Sequence, residues 1–162
     1  LTNLFFFHGL ESGPEGSKTA GLRGRFGPVN APDFRGMSNL DARLQKADET
    51  TRGMQDLLLV GSSFGGLVAV LLAQRFPERV RGMVLCAPAL HTRAAETATL
   101  IHPTIIVHGA LDDVVPFKAS YEFQKHNGGI LVPVVDGHRL INSLDVILDS
   151  VQLLKSMTKI SG

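Results

Sequence analysis

Little in this chain is extreme, and each shortage closes off a class of function. One cysteine, Cys86, in 162 residues leaves no internal disulfide framework and no cysteine-rich zinc site. Lys and Arg total 16 against 15 acidic residues, a net charge of +1, so no basic excess calls for nucleic acid and no acidic tail is present. No apolar run approaches the roughly 20 residues of a membrane-spanning helix. The opening LTNLFFFHGL lacks the basic start, long apolar centre and small-residue cleavage site of a secretory signal. With the lone thiol, this fits a cytoplasmic protein. The histidines show no paired ligand spacing, so no metal is expected, and no repeat or low-complexity linker interrupts the chain. What remains is a globular balance of 44% hydrophobic and 19% charged residues, in a length that suits one domain over 1–162.

Two textures alternate along that length. Short apolar runs end in turn residues, and amphipathic stretches follow them. The strand candidates are LFFFH (4–8), GPVNAPDF (27–34), DLLLVG (56–61), RVRGMVLCAP (79–88), TIIVHG (104–109) and GILVPVVDG (129–137). The second is the weakest, because Pro28 and Pro32 bracket it. The third has no polar alternation, which implies burial on both sheet faces. Helical spacing is expected near 17–26, from about Leu40, over 64–76 up to Pro77, over 116–129 and over 143–158. Strand and helix alternating throughout imply an α/β fold, a parallel sheet with helices on both faces. The segment 88–103 reads as a loop or one short helix.

The most informative stretch is LLLVGSSFGGLVAVLLAQRF (57–76). Gly61-Ser62-Ser63-Phe64-Gly65 matches G-x-S-x-G between a strand and a helix. A side chain at that sharp turn projects beyond the carboxyl edge of the sheet, and residues two before and two after must be small. Ser63 occupies the nucleophile position, Ser62 is its neighbour, and Gly66 suits close helix–sheet packing. A serine nucleophile needs a base, and VVDGHRL puts His138 in the loop after the last strand. The imidazole needs an orienting carboxylate, and HGALDDVVP supplies Asp112 and Asp113 after the fifth strand candidate. Asp136, two residues before His138, competes for that role across an awkwardly short loop. The developing oxyanion needs donors, and the backbone N–H groups of Leu10 and Phe64 are placed to supply them. Glu11 and Ser12 follow Leu10 as pocket-lining candidates. Each of these groups follows the carboxyl end of a strand, the ligand edge of an open parallel sheet. His8 and His108 precede glycines at strand ends, where structural hydrogen bonding is expected. His91, His102 and His126 suit the surface, and Cys86 a small buried apolar role.

With HGLESGPEGSK, GSSFGG, FPERVRGMVLCAP, HGALDDVVP and DGH in place, the chain resembles the α/β-hydrolase superfamily, in particular its small lidless bacterial esterases. That resemblance implies a doubly wound, mostly parallel six-stranded sheet in the order 2-1-3-4-5-6. Two leading strands and a cap domain would be lacking, leaving an open site. It also resolves the acid: G-x-x-D-x-x-V-P places it at Asp112. The expected activity is a cofactor-free serine hydrolase, with a Ser63–Asp112–His138 triad acting on a small-molecule ester or thioester. The alternatives are a non-catalytic binding protein on the same fold, or other acyl or carbon–carbon hydrolysis by the same triad.

Overall fold

A computed structural model describes residues 3–159. The strands are β1 (Asn3–Phe7), β2 (Leu57–Ser62), β3 (Val80–Cys86), β4 (Thr104–Gly109) and β5 (Ile130–Val134). The helices are α1 (Ser17–Phe26), α2 (Leu40–Thr51), α3 (Phe64–Arg75), α4 (Phe117–Asn127) and α5 (Leu144–Met157). All strand pairs are parallel, in the order β1-β2-β3-β4-β5. The α/β class, parallel sheet and helix positions follow the sequence expectation.

The expected strand count needs correcting: the sheet has five strands rather than six. Segment 27–34 is reduced to one parallel bridge, Asn30 to Phe5, on the outer edge of β1. Asn30 donates its N–H to the Leu4 carbonyl and accepts from the Phe6 N–H, at 2.9 and 2.8 Å. The next donor toward β1 would come from residue 32, which is proline and has no N–H. The ladder therefore stops after one rung. Even so, the chain leaves β1 toward that outer edge and leaves β2 toward β3. The crossover direction reverses between β1 and β2, and such a reversal opens a crevice at the carboxyl edge.

Strand periodicity divides the core. Phe5, Phe7, Leu57, Leu59, Met83 and Leu85 face a layer that includes α2 and α3. Leu4, Phe6, Leu58, Val60, Val84 and Cys86 face a second layer that includes α1 and α5. Both faces of β2 are therefore dry, which is why its sequence shows no alternation. Each such Leu or Val contributes about 1.5–3 kcal/mol by leaving water. Helix α3 is apolar nearly all round because it shares one core layer with the sheet, α2 and residues 89–98.

Candidate active site

The turn after β2 is strained in a way only small neighbours permit. Ser63 has φ 54° and ψ −118°, a left-handed conformation costing about 1–3 kcal/mol in a residue with a β-carbon. The surroundings fix it there. Its N–H donates to the Cys86 carbonyl at 2.9 Å, and its own carbonyl accepts from the Gly66 and Ala89 N–H groups, each at 2.9 Å. A β-carbon on Gly65 would sit 2.0 Å from the Phe7 carbonyl oxygen, and one on Gly61 2.6 Å from the Gly65 oxygen. On Gly66 it would meet Pro88 at 2.8 Å, so that glycine admits the loop after β3. Ser63 is the N-cap residue of α3, yet its hydroxyl makes no capping bond. Oγ is turned away from the helix and lies 3.0 Å from His138 Nε2.

His138 Nδ1 lies 2.8 Å from Asp112 Oδ2. An ionised carboxylate only accepts, so Nδ1 carries the proton and Nε2 is free to accept from the serine hydroxyl. Asp112 is held from both ends. Oδ1 accepts the N–H groups of Val114 and Val115, both at 2.8 Å, and the side chain is 0% exposed. Burial works to raise its pKa, but the bonds from His138, Val115 and Val114 outweigh it and hold the carboxyl below its ordinary value. Asp113, next in sequence, is exposed.

Asp136 does not compete for the imidazole. Its Oδ1 accepts the Gly137 N–H, and its Oδ2 accepts the Asn142 N–H and the Ser143 hydroxyl, all at 2.8 Å. It ties together both ends of the loop that carries His138. His108 is a partner the sequence did not reveal. It is fully buried, with Nε2 3.1 Å from Asp112 Oδ2 and 2.9 Å from the Val115 carbonyl, while Nδ1 lies 2.7 Å from the Ser120 hydroxyl. Both Nε2 partners are acceptors, so Nε2 holds the proton and Ser120 donates to Nδ1. Burial lowers the His108 pKa and keeps it neutral. Nothing beyond its place before Gly109 signalled this contact.

On the other side of Ser63 lies the β1–α1 loop. A β-carbon on Gly9 would come within 3.2 Å of Ser63 Cβ. Leu10, Glu11 and Ser12 line a cleft of about 810 Å³ together with Ser63 and His138. Phe64 is the first residue of α3 and is not among the residues that line the cleft. Among the described residues, neither the Leu10 nor the Phe64 N–H donates to a protein acceptor. The exposed side chains of Leu10, Val114 and Ile141 give the cleft an apolar rim. No described residue of 88–103 lines it. Ala89, Leu90, Ala95 and Ala98 of that segment instead pack into the layer with α2 and α3, leaving the site open.

Cys86 pairs in register with Ser62, but its thiol is buried in the layer that includes α1 and α5, and burial pushes its pKa up to about 11. His91 and His126 are exposed, and half-buried His102 bonds the Pro77 carbonyl. No group of three metal-binding side chains occurs among the described residues. The assembled geometry is a hydroxyl, an imidazole and a fixed carboxylate in series. That arrangement can activate an alcohol for attack on a carbonyl.

Comparison with known proteins agrees in fold. The family described as serine aminopeptidase, S33, matches residues 18–101, just over half of the chain. A crystal structure from Xanthomonas campestris pv. campestris, described as a hydrolase of the alpha/beta superfamily, is 26% identical. It superposes with a TM-score of 0.82 over 96% of this chain and 99% of that one. Est1E from Butyrivibrio proteoclasticus is 19% identical, with a TM-score of 0.80 over 97% and 88% of the two chains, and has also been solved with ferulic acid bound. The meta-cleavage product hydrolase of Pseudomonas fluorescens IP01 is 20% identical, with a TM-score of 0.76 over 96% and 91%. No curated protein sequence matches the chain.

Proposed function

This chain belongs to the α/β-hydrolase superfamily, in the family described as serine aminopeptidase, S33, and from that premise we propose that it hydrolyses carboxylic esters through an acyl-enzyme on Ser63. The observation that carries the reading is the continuous chain of hydrogen bonds Ser63 Oγ–His138–Asp112, at 3.0 and 2.8 Å, ending on a buried carboxylate. Ser63 attacks the substrate carbonyl while His138 Nε2 takes its proton. Asp112 holds the Nδ1–H tautomer and stabilises the imidazolium that forms. The Leu10 and Phe64 N–H groups receive the oxyanion. His138 then protonates the departing alkoxide, and water repeats the sequence to release the acid. No step uses a cofactor.

Two features favour esters with accessible acyl groups. The cleft is open, and its rim of Leu10, Val114 and Ile141 suits a short or extended apolar acyl chain. The likeness to Est1E, solved with a free carboxylic acid in place, points the same way. A thioester presents the same carbonyl and belongs to the same proposal. The likeness to a meta-cleavage product hydrolase supports a second reading, carbon–carbon hydrolysis by the same three groups. A panel of 4-nitrophenyl esters graded by acyl length, with thioesters, aminoacyl amides and a vinylogous diketone, separates these activities. Fluorophosphonate should label the wild type and leave Ser63→Ala unmodified, and Ser63→Ala should lose ester turnover while keeping its melting temperature. Unchanged turnover in Ser63→Ala rejects the mechanism. A wild type that neither labels nor turns over leaves only a binding role for the fold.

A further inference from the structure

Arg43, in α2, is 1% exposed, and no carboxylate lies within ion-pair distance of it among the described residues. A buried charge without a counter-ion is costly, and here burial lowers the guanidinium pKa to about 10, which still leaves it charged at neutral pH. Its hydrogen bonds all go to backbone carbonyls. Nε donates to Met37 O at 2.7 Å, Nη1 to His8 O at 2.6 Å, and Nη2 to Gly9 O at 3.1 Å and Phe34 O at 3.4 Å. The guanidinium also lies 5.2 Å from the Phe34 ring centroid and 5.1 Å from that of Phe64.

The Gly9 carbonyl has a second donor. His8, 0% exposed, accepts the Phe34 N–H on Nε2 at 2.8 Å. Its proton must therefore sit on Nδ1, which lies 2.7 Å from Gly9 O. Gly9 C=O and Leu10 N–H belong to one peptide unit. That unit is trans, so the two bonds point in opposite directions. Two buried donors draw the carbonyl into the protein, and the N–H is thereby turned outward at the cleft wall beside Ser63. Hydrogen bonds to the carbonyl also polarise the amide and strengthen its N–H as a donor.

We infer that Arg43 and His8 are positioning residues that aim and polarise the Leu10 N–H toward the substrate oxyanion. The same guanidinium faces the ring of Phe64, so one buried cation backs both donor residues. This inference rests on the ester-hydrolase reading and adds to it a reason for a buried, unpaired charge that a purely apolar α2–sheet contact would not need.

The test separates the donor to Gly9 O from the rest of each side chain. His8→Gln keeps an acceptor near the Nε2 position for the Phe34 N–H but loses the donor to Gly9 O. His8→Asn is the conservative variant for the donor and loses that acceptor instead. Removing one oxyanion donor costs about 10²–10³ in kcat, so a donor left in place but unaimed should cost about 10–100-fold. For 4-nitrophenyl acetate, His8→Gln and Arg43→Met should lose that factor in kcat with KM nearly unchanged. An alkylboronic acid, whose adduct on Ser63 puts an oxygen where the oxyanion forms, should weaken by a similar factor. His8→Asn should recover about tenfold or more of kcat over His8→Gln, whichever of the two melts lower. Equal kcat in the two His8 variants overturns the inference, as does a kcat loss without a matching loss of boronate affinity. Should Arg43→Met not fold, the His8 pair still decides. Ser63→Ala is measured alongside: if it stays active, the hydrolase reading has failed; if it is dead and the His8 variants are equal, only the positioning role has failed.

Discussion

Replacing Asp112 by asparagine removes a charge and almost no volume, so its consequences follow from proton placement alone. The carboxylate receives three hydrogen bonds, Val114 and Val115 N–H on Oδ1 and His138 Nδ1–H on Oδ2, while His108 Nε2, whose N–H donates to the Val115 carbonyl, lies 3.1 Å from Oδ2. Asparagine has one acceptor oxygen. If that oxygen stays with the two backbone N–H groups, the new NH₂ faces both histidines. His138 must then accept on Nδ1 and carry its proton on Nε2, where it donates to Ser63 and cannot take a proton from it. Loss of the right tautomer in a triad of this kind lowers kcat by about 10⁴, roughly 5 kcal/mol of barrier. The His108 N–H keeps its bond to the Val115 carbonyl, so the loss falls on catalysis more than on stability. The flipped amide is worse, because its NH₂ would face two backbone N–H groups. The assay is kcat for an activated ester near pH 8, with thermal melting in parallel and Asp113→Asn as the comparison. Asp113 is exposed, so its variant should lose far less. If Asp112→Asn keeps kcat within about tenfold of wild type, or Asp113→Asn suffers the larger loss, the tautomer argument is wrong.

Stability should fall on acidification before the carboxylates titrate. Burial lowers the pKa of both His8 and His108, so each is neutral in the fold but binds a proton in the unfolded chain below about pH 6.5. The unfolded state then binds more protons, and stability drops with falling pH by up to about 1.4 kcal/mol per pH unit for each group until its folded pKa is reached. Melting between pH 7.5 and 5 checks this, and a flat melting temperature across that window would contradict it. Below it, the depressed carboxylates, Asp112 among them, add a second loss as they protonate. Gly65→Ala should cost about 3–5 kcal/mol, because the methyl group would sit 2.0 Å from the Phe7 carbonyl, a backbone atom that cannot step aside. Gly24→Ala, on α1 with nothing within 4 Å of the new methyl, should instead raise stability by about 0.5–1 kcal/mol, read as a melting shift of opposite sign.

Local chemistry by itself determined the elements and the address of the site. The unbroken apolar run at 57–60 marks a strand dry on both faces, and Gly61, Ser63 and Gly65 mark the turn that follows it. His138 and Asp112 were legible because each lies just past a strand end, in an order that alternation of strand and helix turns into one sheet edge. Segment 27–34, the weakest strand candidate because Pro28 and Pro32 bracket it, forms one rung only, since Pro32 has no N–H to continue the ladder. Three placements belonged to tertiary structure alone. Asp136 was a candidate acid until its bonds to Asn142 and Ser143 made it the tie of the His138 loop. His108 reaches Asp112 only because β4 and the loop after it fold back within 3.1 Å. Arg43 sits in a helix whose pattern reads as half solvated, and no local rule puts a guanidinium under the β1 turn. Period and turn chemistry are properties of neighbouring residues and are written in the sequence. Which acceptor a buried donor meets depends on how loops fold back and how segments pack, over four residues for His108 and 35 for Arg43, where the cost of an unpaired polar group selects one arrangement.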